Sequence, residues 1–217
     1  MVNPTELSFG QRIDPENGLV EPWLTHGALD WIKKQDWTDK KVLQYGSGLG
    51  DIWLAKRSKY LISIERNSDW AIKMQDYISK YKVDNYELHY RPCNENEGTS
   101  ALYKTLPNPY NLADLEVYIP DVVIVDDAYR LECIQNIISL GIECTLIVDN
   151  FMQAFVFLNV DAKEILSPYK SLIFEQEDHE DHDGVNKWKT GIFILNKNND
   201  SKPTKRTDRV DKAGRLG

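Results

Sequence analysis

Three glycines stand at alternate positions, Gly46, Gly48 and Gly50, between the apolar run 42–45 and the helix-like stretch 51–58. Glycine lets a chain turn sharply and lets its backbone come close to a ligand. The start of the following helix adds backbone N–H groups that have no partner within the helix. We therefore predict that a small polar ligand lies against this turn.

Glu65 ends the second apolar run, 60–65, fifteen residues after Gly50. An acid at that place can accept hydrogen bonds from both hydroxyls of a ribose. The dinucleotide fingerprint GxGxxG would need a glycine where this chain has Asp51, and a negative side chain there is unfavourable beside a pyrophosphate. The pattern favours a ligand without a diphosphate and weakens the alternative of an NAD-dependent oxidoreductase.

Polar residues also end two later apolar runs: Asp126 and Asp127 follow one, and Asp149 and Asn150 follow the next. In open α/β sheets, ligands bind outside the carboxyl ends of the strands. Oxygen ligands from Asp126, Asp149 and Asn150 would suit Mg²⁺, which could lower the pKa of a bound hydroxyl. The acids could also only cap the helices that follow them. Arg130 either pairs with Asp126 or holds an anionic acceptor.

Two histidines, His179 and His182, lie among six acids in the polar loop 175–184. Their spacing allows a metal site, but a solvated charged hairpin is the simpler interpretation. We keep His182 as a candidate general base, because histidine titrates near neutral pH. His26 is a weaker candidate for the same role.

The elements that must position these residues alternate along the chain. Apolar runs predict strands at 42–45, 60–65, 86–90, 121–126 and 145–149. Amphipathic stretches predict helices at 25–34, 51–58, 67–81 and 131–138. This alternation indicates an α/β fold with a parallel sheet covered by helices on both faces. Two last runs, 171–174 and 190–195, predict a C-terminal antiparallel strand pair.

The stretches VLQYGSGLGDIWLA and LISIERNSDW resemble the cofactor half of the class I S-adenosylmethionine-dependent methyltransferases. The order of elements is also similar to that family's Rossmann-like, seven-stranded sheet. The resemblance implies S-adenosylmethionine as the cofactor, with its ribose on Glu65, Asp126 close by, and its methionine part on the turn formed by Gly46, Ser47, Gly48 and Gly50.

Gln44 departs from the resemblance, because the family carries an acid there that orients the turn. A neutral glutamine can accept a hydrogen bond but supplies no charge. We still expect Gln44 at the cofactor, and we expect Gln44→Glu to preserve or tighten cofactor binding.

The stretches VDDAYR and LIVDN are similar to the catechol O-methyltransferase branch of that family. This similarity implies a metal ion bound by Asp126, Asp149 and Asn150, with Mg²⁺ as the candidate. The lysine that serves as the base in that branch is replaced here by Tyr129. The same stretches resemble small methyltransferases that act on sugars or glycans, in which the acid after the fourth strand can be a base without metal. Asp126 and Asp127 are therefore the candidate catalytic acids, and both interpretations stay open.

Composition limits the classes of partner. The net charge of −8 disfavours a broad grip on nucleic acid, so we expect no nucleic-acid partner. No run reaches the roughly 18 apolar residues of a membrane span. No N-terminal targeting pattern is evident, so we expect a cytoplasmic protein. The three cysteines, Cys93, Cys133 and Cys144, are predicted to be free thiols.

We predict one methyltransferase domain at 23–200, after an irregular lead-in at 1–22. The tail 201–217 has six Lys or Arg and two Asp, and we expect it to be disordered, with contact to an anionic partner as the alternative. The predicted activity is methylation of a hydroxyl oxygen on a small molecule or saccharide. The alternatives are a non-enzymatic nucleotide- or cofactor-binding module and the NAD-dependent oxidoreductase.

Overall fold

The computed structural model describes residues 11–92, 119–127, 129–151, 159–177 and 187–196. Several predictions fall outside the described residues. They concern Cys93, the two loop histidines His179 and His182, and the basic tail 201–217.

The described strands form one seven-stranded sheet in the order β3-β2-β1-β4-β5-β7-β6. Strands β1 to β5 are parallel, and β7 runs antiparallel between β5 and β6. This confirms the predicted mostly parallel sheet with a C-terminal antiparallel pair. The strands are β1 Lys41–Tyr45, β2 Tyr60–Glu65, β3 Tyr86–Tyr90, β4 Val122–Val125, β5 Cys144–Val148, β6 Lys170–Glu177 and β7 Lys187–Leu195.

Five described helices accompany the sheet: α1 His26–Lys33, α2 Gly50–Arg57, α3 Ser68–Tyr81, α4 Arg130–Ser139 and α5 Asn159–Leu166. Asn67 caps α3, because its side chain accepts a hydrogen bond from the Trp70 N–H. Thr25 precedes α1 but makes no side-chain cap, and its own N–H donates to Thr190 Oγ1. No described helix has the length and apolar character needed to cross a membrane.

The core has two apolar clusters, one on each face of the sheet. Helices α1, α2 and α3 contribute to the first, which includes Leu29, Trp53 and Met74. Helices α4 and α5 contribute to the second, which includes Ile134 and Leu166. In β1, Val42 belongs to the first cluster and Leu43 and Tyr45 belong to the second, as expected for a strand covered on both sides. Helices on both faces are therefore confirmed.

Residues 11–24 have little regular structure, yet they pack against the domain. Asp14 is buried and accepts a hydrogen bond of 2.6 Å from Trp53 Nε1 in α2. Glu21 is also buried, and it pairs with Lys33 of α1 at 2.5 Å and with Arg12 at 3.4 Å. These contacts hold residues 11–24 in place, and the end of this segment lines the site described below.

The two described cysteines are free thiols, as predicted. Cys133 and Cys144 are both buried. Burial raises the pKa of the Cys144 thiol to about 12. Such a thiol stays protonated at neutral pH, so Cys144 has no reactive character.

Candidate active site

A cleft of about 240 Å³ lies where β1 and β4 end. Two separate regions of the sequence meet there, the glycine turn and the acid that follows β4. The predicted site residues that line the cleft are Gln44, Ser47, Gly48, Gly50 and Asp126. Their convergence follows from the sheet order, which places β1 and β4 side by side.

Gly46 forms the sharp part of the turn. Its φ is +82°, a conformation that strongly favours glycine. A Cβ atom at this position would lie 2.2 Å from the backbone carbonyl oxygen of Asp126. Gly46 therefore allows the turn after β1 and the end of β4 to touch through their backbones.

Gly50 begins α2 and lines the cleft. A Cβ atom there would lie 2.4 Å from the Cα atom of Pro22. Its missing side chain thus makes room for the N-terminal segment rather than for a ligand. Because of this contact, Pro22, Trp23 and Leu24 form one wall of the cleft.

Asp51 is the polar residue that the sequence prediction missed. Its side chain is 0% exposed, and its two carboxyl oxygens accept four hydrogen bonds. Oδ1 accepts from Gln44 Nε2 at 2.9 Å and from the Gly48 N–H at 3.0 Å. Oδ2 accepts from Ser63 Oγ at 2.9 Å and from Tyr86 OH at 2.5 Å. The carboxyl group therefore supports the turn from beneath.

This network explains Gln44. The acid absent from position 44 is supplied by Asp51 in the first turn of α2, and Gln44 donates to it. Gln44→Glu would place two carboxyl groups against each other, so the structure favours weaker cofactor binding for this variant, in contrast to the preserved or tighter binding predicted from the sequence. The sequence did contain a signal for this exchange: a neutral residue stands at position 44, where the resembling family has an acid, and an acid stands at position 51.

Burial raises the pKa of Asp51 to about 7, and its hydrogen bonds to Tyr86, Ser63, Gly48 and Gln44 oppose the rise. A buried carboxylate is destabilised by loss of hydration, whereas donors stabilise its charge. Asp51 consequently changes charge close to neutral pH, unlike an ordinary exposed aspartate.

Glu65 lies beside the glycine turn, at the end of β2. Its Oε2 accepts from the Ser47 N–H at 2.9 Å and from Ser47 Oγ at 2.8 Å, and its Oε1 accepts from the Asn67 N–H at 2.8 Å. A carboxylate offers about four acceptor positions, so one is left for a ribose hydroxyl. Rotation of the Ser47 hydroxyl would free a second position. The pair of acceptor positions fits the predicted ribose role.

Arg130 holds together the ends of β4 and β5. Its side chain is buried, and Nε donates to the Asp149 carbonyl oxygen at 2.8 Å, while one terminal nitrogen donates to the Asp127 carbonyl oxygen. The other terminal nitrogen donates to Asp126 Oδ1 and to Asn150 Oδ1, both at 2.8 Å. Of the two predicted roles for Arg130, pairing with Asp126 is the one observed.

The predicted metal ligands do not fit Mg²⁺ in this arrangement. The Arg130 guanidinium already supplies positive charge to the oxygens of Asp126 and Asn150. Asp149 Oδ1 instead accepts from Trp188 Nε1 at 3.0 Å and from Thr190 at 3.3 Å. The interpretation of Asp126 as a base without metal is favoured.

Asp126 has an unusual acidity for an aspartate. Although its side chain is 34% exposed, loss of hydration within the cleft raises its pKa to about 6, and the nearby Asp127 and Glu65 raise it further, while Arg130 opposes the rise. Burial likewise raises the pKa of Asp149. Asp126 is the member of this group that lines the cleft, so it is the acid that a ligand can reach.

Two other candidates lie away from the lining of the cleft. Asp127 is buried, and its side chain accepts from the Tyr129 N–H at the start of α4, which is a structural task. His26 is exposed at the start of α1, where its N–H donates to Gln176. Their positions do not favour the predicted roles as catalytic acid and base.

Two tryptophans line the cleft without having been predicted. Trp70 of α3 donates from Nε1 to the Ser47 carbonyl oxygen at 2.7 Å, which ties the helix to the turn. Trp23 is 40% exposed and packs edge-on against Trp188, with ring centroids 5.9 Å apart. Trp23 therefore offers a partly open aromatic surface at the cleft.

No protein-family model matches the chain, and no curated protein matches its sequence. Solved structures do match it. One is a protein from Streptococcus mutans described as a methyltransferase and solved with SAH, with 13% identity, a TM-score of 0.51, and coverage of 77% of this chain and 96% of that chain. Another is an rRNA methylase from Streptococcus thermophilus, with 13% identity, a TM-score of 0.50, and coverage of 79% and 96%.

At such low identity, the similarity establishes the fold and leaves the substrate open. Each of the two matches covers more than three quarters of this chain. The chain has the Rossmann-like fold of the class I S-adenosylmethionine-dependent methyltransferases.

Proposed function

We propose that this protein is an S-adenosylmethionine-dependent methyltransferase that methylates a hydroxyl oxygen of a small molecule or saccharide. The observation that carries the proposal is the meeting of the glycine turn and Asp126 in one cleft. A cofactor site and an acid able to accept a proton are thereby brought next to each other.

The residues around the turn suit the cofactor. The turn from Ser47 to Gly50 would receive the methionine part, and Glu65 has an acceptor position for the ribose. The buried Asp51 carboxyl lies beneath the turn, where negative charge favours a cationic ligand. When bound, S-adenosylmethionine supplies the methyl group from a positively charged sulfur.

Asp126 is the proposed general base. Among the described residues, its Oδ1 is the carboxyl oxygen that binds Arg130, so Oδ2 is the oxygen we assign to the acceptor hydroxyl. With a pKa of about 6, the group is ionised at neutral pH yet basic enough to take a proton. Arg130 fixes the orientation of this carboxylate through its bonds to both strand ends.

Trp23 and the overall charge bear on the acceptor. A partly exposed indole in the same cleft as a carboxylate suits a ring that carries hydroxyl groups, because the ring can pack on the indole while a hydroxyl donates to the acid. The net charge of −8 disfavours a long polyanion. The absence of a nucleic-acid partner stays a prediction, and RNA belongs in the acceptor screen because one matching structure is an rRNA methylase.

The first test is binding. Calorimetric titrations should show binding of S-adenosylmethionine and no comparable binding of NAD. Fluorescence can follow the same titration, since Trp23 and Trp70 line the cleft. Failure to bind S-adenosylmethionine at millimolar concentration would overturn the proposal, and preferential binding of NAD would favour the oxidoreductase.

The second test is turnover. Sugars, catechols, nucleotides and RNA are screened for release of the demethylated cofactor, and the methylated atom of any product is identified by mass spectrometry and NMR. Asp126→Asn should abolish turnover but keep cofactor binding, whereas Asp76→Asn, at an exposed position of α3, should retain both. Binding without turnover across the screen, together with a neutral effect of Asp126→Asn, would favour the non-enzymatic module.

The third test concerns the metal. We expect full activity in a chelator and no gain from added Mg²⁺, because Arg130 already neutralises the Asp126 carboxylate and donates to the Asn150 amide oxygen. Loss of activity in chelator with recovery on Mg²⁺ would restore the metal interpretation and overturn the base role given to Asp126.

A further inference from the structure

The carboxyl of Asp51 is enclosed by donors from four parts of the fold. Gln44 comes from β1, Gly48 from the turn, Ser63 from β2 and Tyr86 from β3. Two of these partners, Gln44 and Gly48, line the cleft together with Asp51 itself, and Gly48 belongs to the turn. Any change in Asp51 is therefore passed directly to the predicted cofactor turn.

The network accommodates both protonation states of Asp51. The N–H groups of Gln44 and Gly48 can only donate, so Oδ1 must remain an acceptor. The hydroxyls of Ser63 and Tyr86 can donate or accept, so Oδ2 can be ionised or can carry a proton. The charge beneath the turn can thus change without loss of a hydrogen bond.

Asp51 also lacks a cationic partner among the described residues. Its bonded neighbours are neutral, and the titratable groups that face it are Tyr86 on β3 and, beyond Tyr86, Glu65 on β2. A buried carboxylate gains stability when a positive charge comes near. A cationic ligand on the turn is the group that can supply this charge.

We propose that Asp51 is the positioning acid of the cofactor turn, and that it performs from α2 the task that the resembling family assigns to an acid at position 44. It holds the Gly48 N–H in place and sets the charge beneath the turn, so the turn prefers a cationic ligand when Asp51 is ionised. The inference rests on the proposed function, because it takes S-adenosylmethionine as the ligand.

The closing experiment measures the dissociation constant of S-adenosylmethionine against pH, by calorimetry, for the wild type and for Asp51→Asn. Asparagine keeps an acceptor for Gly48 and Gln44 but cannot ionise. The amino group of S-adenosylmethionine titrates in the same pH range and affects both proteins equally. The role of Asp51 is therefore judged from the difference between the wild type and Asp51→Asn at each pH. Above about pH 8 the wild type should bind about tenfold more tightly than Asp51→Asn, and near about pH 6 the two should converge.

Tyr86→Phe provides a second variant should Asp51→Asn fold poorly. It removes one donor from the ionised carboxyl, so the midpoint of the binding profile should move to higher pH. A merely structural role would weaken binding without moving this midpoint. In the double variant Gln44→Glu/Asp51→Asn, the acid returns to β1, and tight binding at high pH should be recovered.

Parallel pH profiles for wild type and Asp51→Asn would overturn this inference and leave the proposed function standing. Absence of S-adenosylmethionine binding at every pH would overturn both. The Gly48 amide resonance provides a readout without ligand, and it should titrate near neutral pH in the wild type but not in Asp51→Asn.

Discussion

The backbones of Gly46 and Asp126 lie so close that a Cβ atom on residue 46 would stand 2.2 Å from the Asp126 carbonyl oxygen. The turn after β1 is therefore seated directly on the end of β4. A hydrogen bond of 2.9 Å from the Asp126 N–H to the Tyr45 carbonyl oxygen reinforces the contact. The proposed cofactor turn and the proposed base are therefore joined directly through their backbones.

Gly46→Ala should be strongly destabilising. Its φ of +82° and the contact with Asp126 both penalise a methyl group, so we expect a loss of more than about 3 kcal/mol in the free energy of unfolding. Denaturant titration measures this loss. Gly48→Ala is the matched control, because its Cβ would meet nothing closer than 3.9 Å and should cost less than about 1 kcal/mol. Equal losses would contradict the role of this contact.

Asp51 should make stability depend on pH. Its pKa is raised from 3.8 to about 7 in the folded protein, so its contribution to stability is full below the unfolded value and is lost as the pH rises through about 7. Asparagine does not titrate. The free energy of unfolding of Asp51→Asn relative to wild type should therefore rise by roughly 3 kcal/mol between pH 5 and pH 8. A constant difference across this range would refute the assignment.

Arg130→Met should loosen the ends of β4 and β5. The substitution removes the shared donor of two buried carbonyl oxygens, those of Asp127 and Asp149, and of two partly buried side-chain oxygens, those of Asp126 and Asn150. Removing one side of such a buried network costs about 3 to 5 kcal/mol.

Arg66→Gln is the control for the arginine substitution. Arg66 is partly exposed and lies 3.7 Å from Asp127, so its loss should cost less than about 1 kcal/mol. Thermal and denaturant unfolding of both variants give the comparison. Similar losses in the two variants would show that the buried bonds of Arg130 contribute little.

The rate of methyl transfer should depend on the ionisation of Asp126. A base must be unprotonated to act, and the pKa of Asp126 is raised to about 6, so activity should fall as the pH drops below about 6 and level off above it. A pH–rate profile at saturating cofactor measures this limb. An ascending limb near the usual aspartate value, roughly two units lower, would mean that another group is the base.

The parallel strands could be predicted almost to the residue. Strands buried on both faces consist of nearly continuous apolar runs, as in β4 and β5. The final pair was underestimated: β6 spans Lys170–Glu177 and β7 spans Lys187–Leu195, both longer than predicted. The residues of β6 are largely exposed, so pairing with β7, rather than apolar character, defines its length. Helix α5 was not predicted.

The site was predictable where one segment carries the chemistry. The turn and Glu65 belong to one β1–α2–β2 unit, and the ends of the paired parallel strands β1 and β2 lie side by side, so the order of elements was enough to predict that they are close. The role of Asp51 depends on hydroxyl groups from β2 and β3. The role of Arg130 depends on acceptors at the ends of β4 and β5. Such contacts arise only when the sheet is assembled, and hydrophobic periodicity contains no information about them.

Positions 44 and 51 form a unit on which selection should act jointly. A relative with an acid at both positions would place two carboxyl groups together, and a relative with an apolar residue at both would leave the Gly48 N–H without its acceptor. Relatives of this protein should therefore have one acid in the pair, on β1 or on α2. The residue types at positions 44 and 51 should therefore covary among relatives. A lineage that moves the acid from one position to the other by single substitutions should pass through an intermediate that binds the cofactor poorly.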